Sequence, residues 1–192
     1  MSLREELVKY VPYNEQEEND KKVMIDFIDT FDNYLIRDNE FGHFTASSWI
    51  VNKDRTKVLM IYHNIYKSWT WTGGHADGDE DLLYVAIKEA KEETGIENVK
   101  PISDEIFSIE IPTINGHVKR GKYVSSHLHF NVTYLLEADE NDEIKIKPDE
   151  NSGVKWVNID EVIPMSTEPQ MHVIFNKINE KLKGMKWLKK KF

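Results

Sequence analysis

Three glutamates carry the strongest chemical signal in this chain. Glu89, Glu92 and Glu93 stand at i, i+3 and i+4 within Lys88-Glu89-Ala90-Lys91-Glu92-Glu93-Thr94. On a helix that spacing puts all three carboxylates on one face. Like charges so placed repel by roughly a few tenths of a kcal/mol per pair. A hard divalent cation takes carboxylate oxygens as its ligands and would turn that repulsion into attraction. The Gly-containing stretch just before, Gly73-Gly74-His75-Ala76-Asp77-Gly78, can bring backbone carbonyls toward the same ion and lets a ligand approach the main chain. On these residues alone an ordinary solvated acidic helix face remains the simpler explanation, so a metal centre and a plain surface both stand.

The elements that must position these groups are legible from periodicity. Leu82, Leu83, Val85, Ala86 and Ala90 give the acidic stretch an apolar side, predicting a helix over Asp81–Thr94. Gly95 suits the left-handed residue after its end. His43–Val51 and Lys57–Tyr62 read as a strand hairpin around the turn Asn52-Lys53-Asp54-Arg55. Ile106–Ile111, Ser126–Leu136 and Val154–Val157 read as further strands, with Ile144-Lys145-Ile146 as a short one. Residues 1–35 read as two helices. The second is expected over about 16–34 with Val23, Phe27, Ile28, Phe31, Tyr34 and Leu35 on one face. A last helix over about 168–183 would turn Met171, Ile174, Phe175, Ile178 and Leu182 inward.

Composition bounds the function. The chain has 192 residues, 34 acidic against 25 basic, for a net charge of −9. That length suits one domain with an extension. The absence of cysteine excludes a disulfide scaffold, a thiol nucleophile, a thiolate zinc site and an iron–sulfur centre. The acidic balance argues against a general binder of polymeric nucleic acid. No apolar run is long enough for a membrane span, and the charged N-terminus lacks a secretory core, so a cytoplasmic chain is expected. Residues 181–192 hold six lysines and no acid, which read as a basic tail ending a helix.

The stretch Gly74–Ile96 resembles the signature of the Nudix hydrolases, Gly-x5-Glu-x7-Arg-Glu-U-x-Glu-Glu-x-Gly-U, with U a bulky aliphatic residue. Gly74, Glu80, Glu89, Glu92, Glu93, Gly95 and Ile96 match at the required spacing. Ala90 is small where an aliphatic residue is usual, and Lys88 replaces the Arg, keeping the charge without the bidentate fork. Trp69-Thr70-Trp71-Thr72-Gly73-Gly74 before the box, and Val154-Lys155-Trp156-Val157 followed by a helix, are similar to the family's flanking elements.

The resemblance implies an α/β fold, the Nudix α/β/α sandwich with a mixed sheet. It would be a domain over 41–185, with an N-terminal helical extension over 1–40 packed on the core and a basic tail over 186–192. It implies hydrolysis of a nucleoside diphosphate linked to another moiety, by water attack on phosphorus assisted by Mg²⁺ or Mn²⁺. Glu92 and Glu93 would be the principal metal ligands. Glu89 would be a further ligand or act on the water, and the Gly74 carbonyl would also bind metal. Glu80 and Lys88 would support the loop against the helix. Glu150, with Asp149 as the alternative, stands where several relatives carry a general base. His127 and His129 alternate with Leu128 and Phe130, so both face one side of a strand; there they would contact substrate or sit in the core. Trp71 could stack on a base or pack internally. Lys119, Arg120 and Lys122, on a Gly-flanked loop, could reach a phosphate or be solvated. The partner would be a small phosphorylated substrate, with no polymeric nucleic acid and no membrane, and a homodimer is open. Two rival readings are a non-catalytic Nudix-fold nucleotide sensor and isopentenyl diphosphate isomerase. The isomerase uses a catalytic cysteine that this chain lacks. The Tyr that marks dinucleoside polyphosphate hydrolases is absent from Pro112-Thr113-Ile114.

Overall fold

The computed structural model describes residues 1–119 and 121–189. The side chains of 119 and 186–189, together with Arg120 and residues 190–192, lie outside that description, and with them most of the expected basic tail and part of the Gly-flanked loop. In chain order the elements begin with helices α1 (Leu3–Lys9) and α2 (Glu15–Thr30). Strands β1 (Gly42–Asn52), β2 (Lys57–His63), β3 (Ser68–Thr70) and β4 (Thr72–His75) follow, then helix α3 (Leu82–Thr94). Next come β5 (Lys100–Pro101), β6 (Ser108–Glu110), β7 (Thr113–Ile114), β8 (His117–Lys119), β9 (Lys122–Val124), β10 (His127–Ala138) and β11 (Asn151–Asn158). A 3₁₀ turn at Ile159–Glu161, helix α4 (Val162–Met165) and helix α5 (Pro169–Lys189) close the order.

The fold is α/β with a mixed sheet in the order β11-β2-β1-β10-β5. All eleven residues of β1 are buried, as expected for a central strand covered on both faces. The chain forms two compact units: Met1–Ser47, Gly73–Ala86 and Ser103–Tyr134 in the first, and Ser48–Thr72, Ile87–Ile102 and the residues from Leu135 onward in the second.

In the first unit Ser2 closes a capping box with Glu5 on α1, and Asn14 caps α2 by accepting from Glu17 N–H at 3.0 Å. β6 pairs antiparallel with β10 in the register Asn131↔Glu110, Val132↔Ile109 and Thr133↔Ser108. Phe27 of α2 stacks on Phe130 with ring centroids 4.0 Å apart. The buried face of α2 is Glu17, Met24 and Phe27, rotated from the expected one. Val23 is 47% exposed, and the helix ends at Thr30, before Tyr34 and Leu35. The chain leaves the helix through Phe31, whose backbone is extended.

In the second unit β2 pairs on one side with β1 (Val51↔Val58) and on the other with β11, where Trp156↔Leu59 and Val157↔Val58 face each other. α5 turns Met171, Phe175, Ile178 and Leu182 inward, and Phe175 meets Trp49 at 5.3 Å between centroids. Residues 144–146 form no strand. Their place is fixed by other means: Lys145 N–H donates to the Thr94 carbonyl, and the Lys145 side chain lies over Gly95. Gly95 has φ +70°, and a Cβ there would meet Lys145 Cβ at 2.8 Å, so glycine serves both the helix stop and the close approach.

Candidate active site

The C-terminal half of α3 carries the acidic cluster. Glu89 is partly buried with its side chain 16% exposed, whereas Glu92 is 42% exposed. Glu93 is buried, and its backbone carbonyl accepts from Asn151 Nδ2 at 2.8 Å. That bond ties the end of α3 to the first residue of β11, so the helix position is set by tertiary contact as well as by propensity. Lys88 lies against Glu89 at 4.0 Å and Glu92 at 3.8 Å. Both contacts are long and single, as an ammonium in place of a forked guanidinium permits.

Glu150, in the turn just before β11, belongs to the same cluster. Lys147 bridges it, with Nζ 3.0 Å from Glu150 and 3.3 Å from Glu92. Partial burial opposes the charge on Lys147, but Glu150 and then Glu92 outweigh it and hold the ammonium at about 12. Glu89 titrates above its ordinary range. Burial is the main cause and the charge on Glu92 the next, with Glu150 adding to it and Lys88 and Lys147 opposing. Lys147 is the site residue that sequence reasoning missed. Its only local signal is the i, i+3 spacing to Glu150.

The carboxylate set suits a divalent ion. Its donors are all oxygen, as Mg²⁺ and Mn²⁺ prefer, and it already gathers two ammonium groups. Without metal the same crowding is a cost. Glu89→Gln should therefore raise the melting temperature of chelator-treated protein by roughly 1–3 °C, the response of a chain this size to relief of weak i, i+3 repulsion and burial of a charge. Calorimetry in excess chelator checks this. An unchanged or lowered melting temperature would mean that the carboxylate is compensated where it stands.

The remaining expected residues fall elsewhere. Gly74 is partly exposed in β4, and Glu80 is exposed in the loop before α3. There Glu80 adds to burial in raising the Tyr34 phenol. Trp71 meets Phe175 edge-on at 5.5 Å. His127 and His129 share one side of β10 with Nε2 atoms 3.2 Å apart, and each ring also faces His43 of β1, centroids 5.0 Å away.

This fold, with an acidic cluster on α3, fits the class of hydrolases that act on phosphate anhydrides. Residues 42–177 match the family model of the NUDIX domain, and the chain belongs to that family as a Nudix hydrolase. An RNA pyrophosphohydrolase of Pelagibacter ubique is 30% identical over 138 residues, covering 70% of this chain and 87% of that protein. A Nudix-family hydrolase from Clostridium perfringens is similar in structure with a TM-score of 0.51 and 25% identity, over 74% of this chain and 97% of that one. An Ap4A hydrolase of C. elegans, at 21% identity, shares the fold with a TM-score of 0.52 over 73% and 98% of the two chains. Among the described residues no helix is long and apolar enough to cross a membrane.

Proposed function

We propose that this enzyme hydrolyses a diphosphate linkage in a small nucleoside polyphosphate or nucleoside diphosphate derivative, with Mg²⁺ or Mn²⁺ held by Glu89, Glu92 and Glu93. The observation that carries it is the convergence of Glu92, Glu150 and Lys147 beside Glu89. A bound divalent ion there supplies charge neutralisation of the diphosphate and a lowered pKa for water. Glu150 takes the proton as the water oxygen bonds to phosphorus, and the bridging oxygen departs with the bonding pair on the leaving phosphate. Lys147 holds the Glu150 carboxylate in position for that transfer. Glu80 and Lys88 support the loop and the helix, respectively. Net charge of −9 favours a small substrate over a polymer, because the metal inverts the sign only locally.

A second reading has one observation in its favour: the 30% identical relative is named for RNA, so the substrate would be a 5′-polyphosphorylated RNA end. The test presents the full chain with a dinucleoside tetraphosphate, ADP-ribose, a nucleotide sugar, a nucleoside triphosphate and a 5′-triphosphorylated oligoribonucleotide. Each is assayed with Mg²⁺, with Mn²⁺ and with chelator, and products are separated by anion exchange. Metal-dependent cleavage of a small nucleotide supports the first reading, and a preference for the oligonucleotide replaces it with the second. No cleavage of any of them in either metal sinks the catalytic assignment and leaves the sensor.

A further inference from the structure

The first unit contains a second cluster of donors, of a different chemical kind. His43, His75 and His129 each offer one ring nitrogen, and the three atoms lie within 4.8 Å of one another. Their rings stand 5.0 Å apart between centroids in all three pairings. They come from three strands, β1, β4 and β10, so the convergence is made by the sheet and not by one flexible loop.

His43 is 4% exposed, and apart from a weak contact with the Asn39 backbone its ring nitrogens have no hydrogen-bonding partner. A buried polar group normally has one, and leaving it unmet is costly. Those nitrogens, with two further imidazoles alongside, form a group of donors that a single ion could satisfy together. Burial, and then the neighbouring histidines, hold His43 down to about 4 and His129 down to about 2.

The fourth histidine supplies the support such sites require. His127 Nδ1 lies 2.8 Å from the Ser125 carbonyl. A carbonyl only accepts, so Nδ1 carries the proton and Nε2 carries the lone pair. That Nε2 faces His129 Nε2 at 3.2 Å, so the His129 Nε2–H donates to it and the lone pair of His129 is left on Nδ1. A relay from ligand imidazole to a second imidazole to a backbone carbonyl fixes tautomer and ring orientation, as partners behind metal-bound histidines do. Arg37, the nearby cation, is paired with the Asp77 carboxylate.

We propose that His43, His75 and His129 bind one late transition-metal ion of the Zn²⁺, Co²⁺ or Ni²⁺ class, with His127 as the positioning residue behind His129. Three imidazoles disfavour Mg²⁺, which takes oxygen ligands, and favour the nitrogen-loving metals. Two nitrogens about 2.0–2.1 Å from a tetrahedral ion are roughly 3.3 Å apart. The rings therefore close up on binding, through histidine χ2 torsions that are soft. None of the three ligands belongs to the carboxylate set on α3, so the site is additional to the one that would hold Mg²⁺.

The test uses the full chain without a polyhistidine tag, in a Glu92→Gln/Glu93→Gln background that removes the carboxylate centre from the readout. Co²⁺ is titrated while visible absorption is followed, and bound metal is counted after dialysis. One Co²⁺ per chain with a d–d band of low-coordinate nitrogen ligation is expected. His75→Ala and His129→Ala should each weaken binding at least about tenfold, and His127→Ala should do so less while shifting the band. Near-UV circular dichroism verifies that each variant is folded. If His43→Ala does not fold, His75→Ala, which alters a partly exposed residue, carries the comparison. No bound Co²⁺ in the background protein, or binding unchanged in the His75 and His129 variants, overturns the proposal.

Discussion

Glu93→Gln and Glu92→Gln should each lower kcat by about three orders of magnitude while leaving the fold intact. The estimate follows from the several kcal/mol of transition-state charge stabilisation that metal coordination supplies, at about 1.4 kcal/mol per decade of rate. Gln matches Glu in shape, so at buried Glu93 the change removes charge and leaves packing alone. At exposed Glu92 it also releases Lys147, whose remaining carboxylate partner is Glu150 at 3.0 Å. The two variants should therefore differ in kind. Glu92→Gln should show a raised Mg²⁺ requirement with part of kcat recovered at high metal, because its carboxylate is already divided between the Lys88 and Lys147 ammonium groups. Glu93→Gln should not recover. Steady-state kinetics over a Mg²⁺ series, on whichever nucleotide is cleaved, reads both. A Glu93→Gln enzyme within tenfold of the parent would remove Glu93 from the metal set.

How much of this was readable in advance depended on sequence separation. The face shared by Glu89, Glu92 and Glu93 follows from helical period within five residues, and α3 falls where its apolar side predicts. The strands β1, β2 and β10 are likewise marked by their β-branched and aromatic runs. Lys147 was not readable as a site residue, because its partner Glu92 lies 55 positions away and its own neighbourhood is an acidic turn. The segment 144–146 alternates apolar and basic residues like a strand, yet it is held by one backbone bond to the end of α3 and joins no ladder. His127 and His129 could be paired by the period of two along a strand. His43 and His75 could not be added to them, because β1, β4 and β10 meet only in the folded sheet.

The same separation hid the residue whose loss should most reduce stability. Glu17 lies on α2 outside the apolar face expected of that helix, yet it is fully buried in the first unit. Its Oε2 accepts from the Tyr10 hydroxyl at 2.6 Å and from Tyr13 N–H at 2.7 Å, and its Oε1 accepts from the Ser108 hydroxyl at 3.0 Å. Ser108 also meets Glu110, and Glu110 Oε2 accepts from Asn131 and Thr133, each at 3.0 Å. Asn131 in turn accepts from Thr45 and Ser47 of β1. A polar network thus runs from α2 through β6 and β10 to β1, where sequence patterning predicts only apolar contact. Burial, followed by Glu17 and Glu110, pushes the Tyr10 phenol above its ordinary range, so it stays a donor. Glu17→Ala removes the carboxylate that the Tyr10 hydroxyl and the Tyr13 N–H donate to, while the Ser108 hydroxyl keeps Glu110 as its acceptor. At about 1–3 kcal/mol per buried group left unmet, with imperfect additivity, the loss should be about 3 kcal/mol. Glu17→Gln keeps one carbonyl oxygen and should lose less. Urea unfolding followed by tryptophan fluorescence measures both. A midpoint for Glu17→Ala within error of the parent would mean that water replaces the carboxylate, and that α2 is held well enough by Phe27 against Phe130 of β10 and by Gln16, which donates to the Ile109 carbonyl of β6.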